Sequence, residues 1–275
     1  KAFTTQLAAL FVLTLVMALA FGGSGVNIAT LVLLQLAAVL SLAVFSGNSG
    51  IVSFGHSAFM GIGAYVSGIL TMSAAMQRST LPALPGWLAG HEMGLAGALV
   101  AVMLVGIVMG VISGVPLARL STGSAAIGTL AFLIIIHVTL NGARDFTRGS
   151  QTFYGVPRLT TNWVAFGAAS VAIALARMFR ETPLGLRLRA TRENEVAAVA
   201  MGVDLFRARF LGWVVSITMA TMVGALYGHF LGAFSPKDFY FDLGFTMLAM
   251  LIVGGMGSSL GALVGVAITI VVVAA

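Results

Sequence analysis

Long stretches without a charged side chain are the feature that most constrains this sequence. Six stretches contain no Asp, Glu, Lys or Arg: 2–77, 93–118, 120–143, 159–176, 210–236 and 243–275. A helix needs about 20 apolar residues to cross a hydrocarbon core of about 30 Å, and it satisfies its own backbone polar groups. A transmembrane β-barrel would show segments of about 10 residues alternating between apolar and polar, and that pattern is missing from the sequence. The sequence therefore predicts an all-α integral membrane protein.

The composition agrees with a membrane protein and argues against a nucleic acid partner. Only 8% of the residues are charged and the mean hydropathy is +1.07, whereas a soluble domain has about 25% charged residues. The chain has no cysteine, which excludes a disulfide framework and a thiolate metal site. The net charge of +6 could indicate nucleic acid or anionic lipid. However, one hydrophilic segment of mixed sign holds many of the charges: Arg180, Glu181, Arg187, Arg189, Arg192, Glu193, Glu195, Asp204, Arg207 and Arg209.

The apolar segments predict one transmembrane domain over residues 1–275, with about eight to ten helices. The first segment has no cleavage pattern of a signal peptide, so we expect a retained helix. A cytoplasmic loop at 180–207 would place nine basic residues inside and five outside, in agreement with the positive-inside rule. Nine segments can be counted: 4–22, 26–46, 57–75, 93–116, 123–141, 162–179, 208–234, 242–254 and 258–275.

Glycine-rich stretches at 47–63 and 254–265 predict broken or re-entrant helices. Residues 46–57 are too polar to face lipid, so they should face protein or a water-filled path. Close helix packing through small residues explains the same pattern equally well. The candidates for a translocation path are the polar side chains of the predicted spans: Asn48, Ser53, His56, His137, Asn141 and His229.

The histidines of the predicted spans have a simpler interpretation than a functional site. A polar group inside a membrane protein marks a functional site by default, but a lone histidine is more often a hydrogen-bonded packing group. The sequence has no His-x-x-x-His spacing, and we therefore predict no metal site, no catalytic residue and no cofactor site in this chain.

The hydrophilic segment at 182–203 predicts a short helix that does not span the membrane. Thr191 or Asn194 can cap this helix, Glu193 and Glu195 would fall in its first turn, and Gly202 is a natural stop. Its alanines form a small-residue surface that could lie in a groove of a partner protein. The alternative is an ordinary loop helix on its own bundle.

Four motifs resemble the LivM-type permeases of the branched-chain amino acid ATP-binding-cassette importers. The match covers most of the chain from about residue 26, in the order of the family. The motifs are GIVSFGHSAFMGIGAY at 50–65, RATRENEVAA at 189–198, GALYGHF at 224–230 with Ser235-Pro236, and GGMGS at 254–258.

The resemblance implies a coupling helix and a set of partners. Residues 192–202 are similar to the helix that docks on a separate ATPase, which implies coupling roles for Arg192, Glu193, Glu195, Ala197, Ala198 and Gly202. The chain lacks a Walker phosphate-binding loop, so ATP and Mg²⁺ are expected on two partner ATPase subunits. The other implied partners are a LivH-type second permease, a periplasmic solute-binding protein and the lipid of a bacterial inner membrane.

Three alternatives stay open. The sequence departs from the family pattern at 117–130, which leaves urea, amides or aromatic acids as cargo beside branched-chain amino acids. Ser49 and His229 could form the dyad of a rhomboid-like intramembrane protease if they met in space. A secondary transporter would bury carboxylates near the midplane, and the predicted spans have acidic residues only at their edges, such as Glu92 and Asp242.

Overall fold

The structure is a computed structural model that describes residues 25–86 and 88–274. The predicted first segment at 4–22, with its interpretation as a retained helix, lies outside the described residues. The helices are α1 (Gly25–Gly47, with a π-helical last turn at Ala43–Gly47), α2 (His56–Thr71), α3 (Ala74–Thr80), α4 (Leu95–Ala118), α5 (Thr122–Gly142), α6 (Arg144–Thr147), α7 (Asn162–Glu181), α8 (Pro183–Glu193), α9 (Glu195–Ala200), α10 (Leu205–Leu231), α11 (Phe241–Gly254) and α12 (Ser259–Ala274).

The structure confirms an all-α membrane protein. Helices α1, α4, α5, α7 and α10 are long and apolar enough to cross a membrane. Among the described residues the strands are limited to a two-residue antiparallel pair, β1 (Phe153–Tyr154) and β2 (Ala233–Phe234). Large apolar side chains point outward from α4, α5 and α7, as expected of helices that face lipid: Val100, Leu104, Ile112, Ile127, Ile135, Val171 and Leu175.

Helix α10 is the centre of the bundle and packs closely on α2 and α4. Gly63 of α2 and Gly224 of α10 allow this approach, because a Cβ at either position would overlap a backbone carbonyl of the other helix. Trp213 of α10 is fully buried, and its indole Nε1 donates to Ser113 Oγ of α4 at 2.9 Å. The glycine-rich stretch at 47–63 therefore does provide close packing.

Helices α2 and α11 are shorter than a full crossing, as expected of helices broken at the glycine-rich stretches 47–63 and 254–265. The 16 residues of α2 and the 14 of α11 are about 24 and 21 Å long, against a hydrocarbon core of about 30 Å. Helix α2 begins only after a non-helical stretch at 50–55. Helix α11 ends at Gly255, whose φ of 91° stops the helix.

The chain between α10 and α11 dips into the bundle. Phe239, in the 3-10 helix Pro236–Phe239, packs against Gly61, and the Tyr240 carbonyl accepts a hydrogen bond from Ser57 Oγ at 3.3 Å. Gly61 lies ten residues before Thr71, the end of α2, which is a depth of about 15 Å along the helix. The segment at Pro236–Phe239, whose Lys237 is one of the five basic residues that the positive-inside count puts outside, is thus re-entrant.

Candidate functional site

The two ends of the bundle carry different candidate sites. At the α9 end, α8 and α9 lie beside the last turn of α1 and the first turns of α5 and α10. We call the opposite end the ladder end, because β1 pairs with β2 there. At this end the last turn of α10 contacts the chain before α7 through the hydrogen bond between His229 and the Pro157 carbonyl.

Helix α9 is the short helix that the sequence predicts, with a different first turn. Asn194, not Thr191, is its cap, since Asn194 Oδ1 accepts from the Ala197 amide at 2.9 Å. Gly202 follows the helix with a φ of 84°. Glu193 is the last residue of α8 rather than part of this helix, because the extended backbone of Asn194 separates the two helices.

The exposed face of α9 combines two of the expected alanines, Ala197 and Ala200, with larger apolar side chains. Ala198 is 5% exposed and faces the bundle, which corrects its expected place on a docking surface, although Ala197 is exposed. Instead Val196 and Met201 are 81% and 85% exposed, and Val199 lies between them. We call Val196, Val199 and Met201 the apolar surface of α9. Sequence reasoning missed it, although three large apolar residues in a charged loop were a visible signal.

Glu195 connects α9 to the core of the bundle. Its Oε2 accepts from Arg209 Nη2 of α10 at 2.8 Å and from Thr122 Oγ1 of α5 at 3.1 Å. The Arg209 side chain is 3% exposed and also donates to the Leu120 carbonyl at 2.9 Å. The Glu195 carboxylate thus holds α9 to α5 and α10, while 40% of its side chain stays exposed.

Arg192 connects the end of α8 to the end of α1. Its Nη1 donates to the Gly47 carbonyl at 2.6 Å, and its side chain covers Gly50, whose φ is 74°. The non-helical stretch at 50–55 begins at this contact. Hydrogen bonds therefore join α8 to α1 and α9 to α5 and α10.

The polar stretch after α1 forms a buried hydrogen-bond chain. Ser216 Oγ donates to the Ser41 carbonyl at 2.6 Å, which uses its only proton, so His56 Nε2 must donate to Ser216 Oγ across 2.6 Å. His56 Nδ1 then accepts from Ser53 Oγ at 2.8 Å. The neutral ring of His56 is fully satisfied and buried, which favours the packing interpretation for this histidine.

The other predicted path residues do not converge on one site. Asn48 donates to the Val44 carbonyl at 2.9 Å, and Asn141 donates to the carbonyl of His137. The His137 ring stacks on Tyr240 with 3.9 Å between ring centroids. His229 bonds the Pro157 carbonyl at the ladder end.

The dyad of the alternative protease hypothesis, Ser49 with His229, is not formed. Ser49 Oγ accepts from the Ile51 amide, close to Gly50 and Arg192 at the α9 end. His229 lies in the last turn of α10, about 30 Å along that helix from Arg209 at the α9 end. Among the described residues, no group of three or more His, Cys, Asp or Glu could hold a metal ion.

A charged cleft beside the re-entrant segment was missed by the sequence analysis. Its volume is about 350 Å³, and its lining residues are Gln35, Tyr227, Lys237, Asp238, Asp242, Leu243 and Thr246. Asp238 Oδ2 accepts from the Ser235 amide at 2.6 Å. Within the described part of the chain, the Lys237 and Asp242 side chains have no ion pair or hydrogen bond. The Gln35 Oε1 atom is buried and has no hydrogen-bond partner among the residues that the structure describes.

The position of the cleft changes the interpretation of Asp242. The sequence suggested a carboxylate at the edge of a span. In the structure Asp242 stands three residues after Phe239, beside a segment about 15 Å below the end of α2. A carboxylate at that depth cannot face lipid, so it must face water, a cargo or another protein.

These features define a class: a multi-pass membrane protein whose loop helix is attached to its spanning helices. The particular family follows from sequence comparison, since the profile of the branched-chain amino acid transport system permease component family matches residues 24–275. The chain belongs to this family.

Individual relatives are distant. The LivM permease of the high-affinity branched-chain amino acid transport system of Salmonella typhimurium is 25% identical over 90% of this chain and 62% of its own length. The corresponding protein of Escherichia coli is 25% identical over 96% of this chain and 66% of its own length. The guanosine ABC transporter permease NupQ of Bacillus subtilis is 24% identical over 77% of this chain and 69% of its own length. The chain therefore spans slightly less than two thirds of the LivM relatives, and no solved structure matches it significantly.

Proposed function

We propose that this chain is a membrane-spanning permease subunit of an ATP-binding-cassette importer in a bacterial inner membrane. It would translocate branched-chain or related small amino acids, with ATP and Mg²⁺ bound by two separate ATPase subunits. The observation that carries the proposal is the attachment of α9: its apolar surface is exposed, while Glu195 and Ala198 hold the helix to the bundle.

The contacts of α8 and α9 supply a route for coupling. A partner ATPase that takes the apolar surface of α9 into a groove would bury large apolar side chains, which favours docking. Movement of the docked helix would act on α10 through Glu195 and on α1 through Arg192. Rigid helices with two packing arrangements can carry such a shift to the cargo path.

The charged cleft supports an amino acid as cargo rather than an uncharged molecule. An amino acid carries an ammonium and a carboxylate, and the cleft offers Asp242 for the first and Lys237 for the second. Charge-assisted hydrogen bonds to such groups are roughly twice as strong as neutral ones. Guanosine, named for one relative, and urea or amides would leave these charges unpaired, which is costly at this depth.

The cleft also supports a second permease and an external binding protein. Lys237, Asp238 and Asp242 of the cleft are exposed on the surface of this chain. They nevertheless lie between the two ends of the bundle rather than at one of them. A LivH-type homologue across that surface would complete a path between two permeases, and a periplasmic solute-binding protein would deliver cargo at the ladder end.

The test is uptake by the chain reconstituted in proteoliposomes with its co-purified permease and ATPases. We expect ATP-dependent uptake of labelled leucine, and about a tenfold loss in Asp242→Asn, since a charged hydrogen bond contributes about 1.5–3 kcal/mol. Asp145→Asn, an exposed acidic residue of α6 outside the cleft, is the matched control. Uptake of guanosine or urea without leucine would refute the amino acid cargo, and uptake without any need for ATP would refute the importer.

A further inference from the structure

Three arginines line a second cleft, which lies at the α9 end of the bundle. It has a volume of about 530 Å³ and lies between α8, the end of α1 and the turn before α12. We call it the basic cleft, and its lining residues are Gly47, Arg180, Leu186, Arg189, Ala190, Arg192, Glu193 and Gly257. Three guanidinium groups against one carboxylate leave a formal charge of +2 inside it.

The positive charge of the basic cleft is not neutralised within the described residues. The ion pairs of that part of the chain join Arg177 to Glu181, Arg207 to Asp204, and Arg209 to Glu195, so none involves a residue of the cleft. Arg192 donates to the Gly47 carbonyl, and the side chains of Arg180 and Arg189 make no hydrogen bond to any residue that the structure describes. Like charges held in one cleft repel, and an anion between them removes that cost.

An apolar groove continues from the basic cleft along the surface of α1. The groove has a volume of about 240 Å³ and shares Gly47 and Arg180 with the basic cleft. From Gly47 it reaches back to Leu40, which is about 10 Å along α1 into the bundle. Its apolar lining comes from three helices and the turn before α12: Leu40, Ala43, Val44, Ala176, Met256 and Leu260. The polar part of the lining is Asn48, Arg177, Arg180, Glu181 and Ser258, of which Arg177 and Glu181 pair with each other.

The joined basic cleft and apolar groove match a molecule with an anionic head and an apolar tail. We propose that an anionic phospholipid binds here, with its phosphate among Arg180, Arg189 and Arg192 and an acyl chain in the groove along α1. Guanidinium forks suit phosphate oxygens, and basic pockets between membrane helices bind anionic headgroups on the cytoplasmic side. Free phosphate would fill the basic cleft and leave the groove unexplained.

The bound phosphate would brace the contact between α8 and α1. Arg192 would then hold the Gly47 carbonyl and a lipid phosphate together, so the lipid becomes part of the connection between the loop helices and α1. This role does not depend on the identity of the cargo.

The test is a binding titration of the purified full chain with phosphatidylglycerol, phosphatidylcholine of the same acyl chains, or inorganic phosphate, read by native mass spectrometry. We expect saturable binding of phosphatidylglycerol, with Arg189→Gln weakening it about fivefold, the value of one arginine near an anionic headgroup. Arg187→Gln is the matched control, because Arg187 is exposed on the same helix and lines neither the cleft nor the groove. Arg189→Lys, which keeps the charge, should restore most of the binding and excludes misfolding as the cause.

Three outcomes would overturn the proposal. The first is equal binding of phosphatidylglycerol and phosphatidylcholine, which would show that the headgroup charge is not recognised. The second is the same loss in Arg187→Gln as in Arg189→Gln, which would indicate a general surface charge effect. The third is inorganic phosphate binding as tightly as phosphatidylglycerol, which would identify a free-phosphate site without a role for the groove.

Discussion

Removal of the Glu195 carboxylate should release α9 from the bundle. In Glu195→Ala the Arg209 guanidinium, which is 3% exposed, loses the acceptor that lies 2.8 Å away. The Thr122 hydroxyl loses the same carboxylate as the acceptor of its hydrogen bond. A hydrogen bond to a charged group contributes about 1.5–3 kcal/mol. Because the carboxylate is itself 40% exposed and therefore screened, we take the lower limit of about 1.5 kcal/mol. This raises the detached fraction of α9 about tenfold.

The detached fraction can be measured by cysteine labelling, since the native chain has no cysteine. Ala198 is 5% exposed and faces the bundle, so a cysteine there is labelled only when α9 opens. If closing is faster than labelling, the rate of modification by a maleimide follows the open population. We expect Ala198→Cys with Glu195→Ala to label about ten times faster than Ala198→Cys alone.

The matched control for this prediction is Glu193→Ala. Glu193 is exposed at the end of α8, and no ion pair of the described residues involves it. Its removal should leave the labelling rate unchanged. An unchanged rate in Glu195→Ala, or an equal increase in Glu193→Ala, would show that the pair with Arg209 does not hold α9.

The remaining predictions concern packing, chemistry and orientation. Gly63→Ala should lower the thermal stability of the purified chain by about 1–3 kcal/mol, because its Cβ would overlap a carbonyl of α10; Gly167→Ala, with open space at its Cβ, should be neutral, and equal effects would refute the argument. Ser49→Ala should retain most of the uptake, whereas labelling of the native chain by a serine-directed probe that this variant abolishes would favour the protease. Cysteines at Arg187 and Lys237 should react with an impermeant reagent from the cytoplasm and from outside, respectively; because Lys237 lines the charged cleft, labelling of Arg187→Cys from outside is the result that would invert the proposed orientation.

Local chemistry was sufficient for several correct predictions. Charge-free stretches determine the class, because a charge in hydrocarbon is costly wherever the chain places it. The cap at Asn194 and the stop at Gly202 depend on side chains within a few residues of the helix that they end. The family motifs are likewise a property of the sequence alone, and the match to residues 24–275 confirms them.

Contacts between distant residues were decided only by the tertiary structure. Glu195 reaches Arg209 and Thr122, and the partner of His56 is Ser216, 160 residues away. Sequence patterns report which side chains share a face of one helix, but not which face of another helix they meet. The partners of Glu195 could therefore not be predicted.

The depth of the charged residues is the clearest case of this difference. The sequence predicts Lys237 and Asp242 to be loop or span-edge residues, because Pro236 and the aromatic residues at 239–241 separate two apolar runs. The structure folds this segment back to Gly61, where the absence of a side chain leaves room for Phe239. Hydropathy measures the length of an apolar run and carries no information about a chain that enters the membrane and returns.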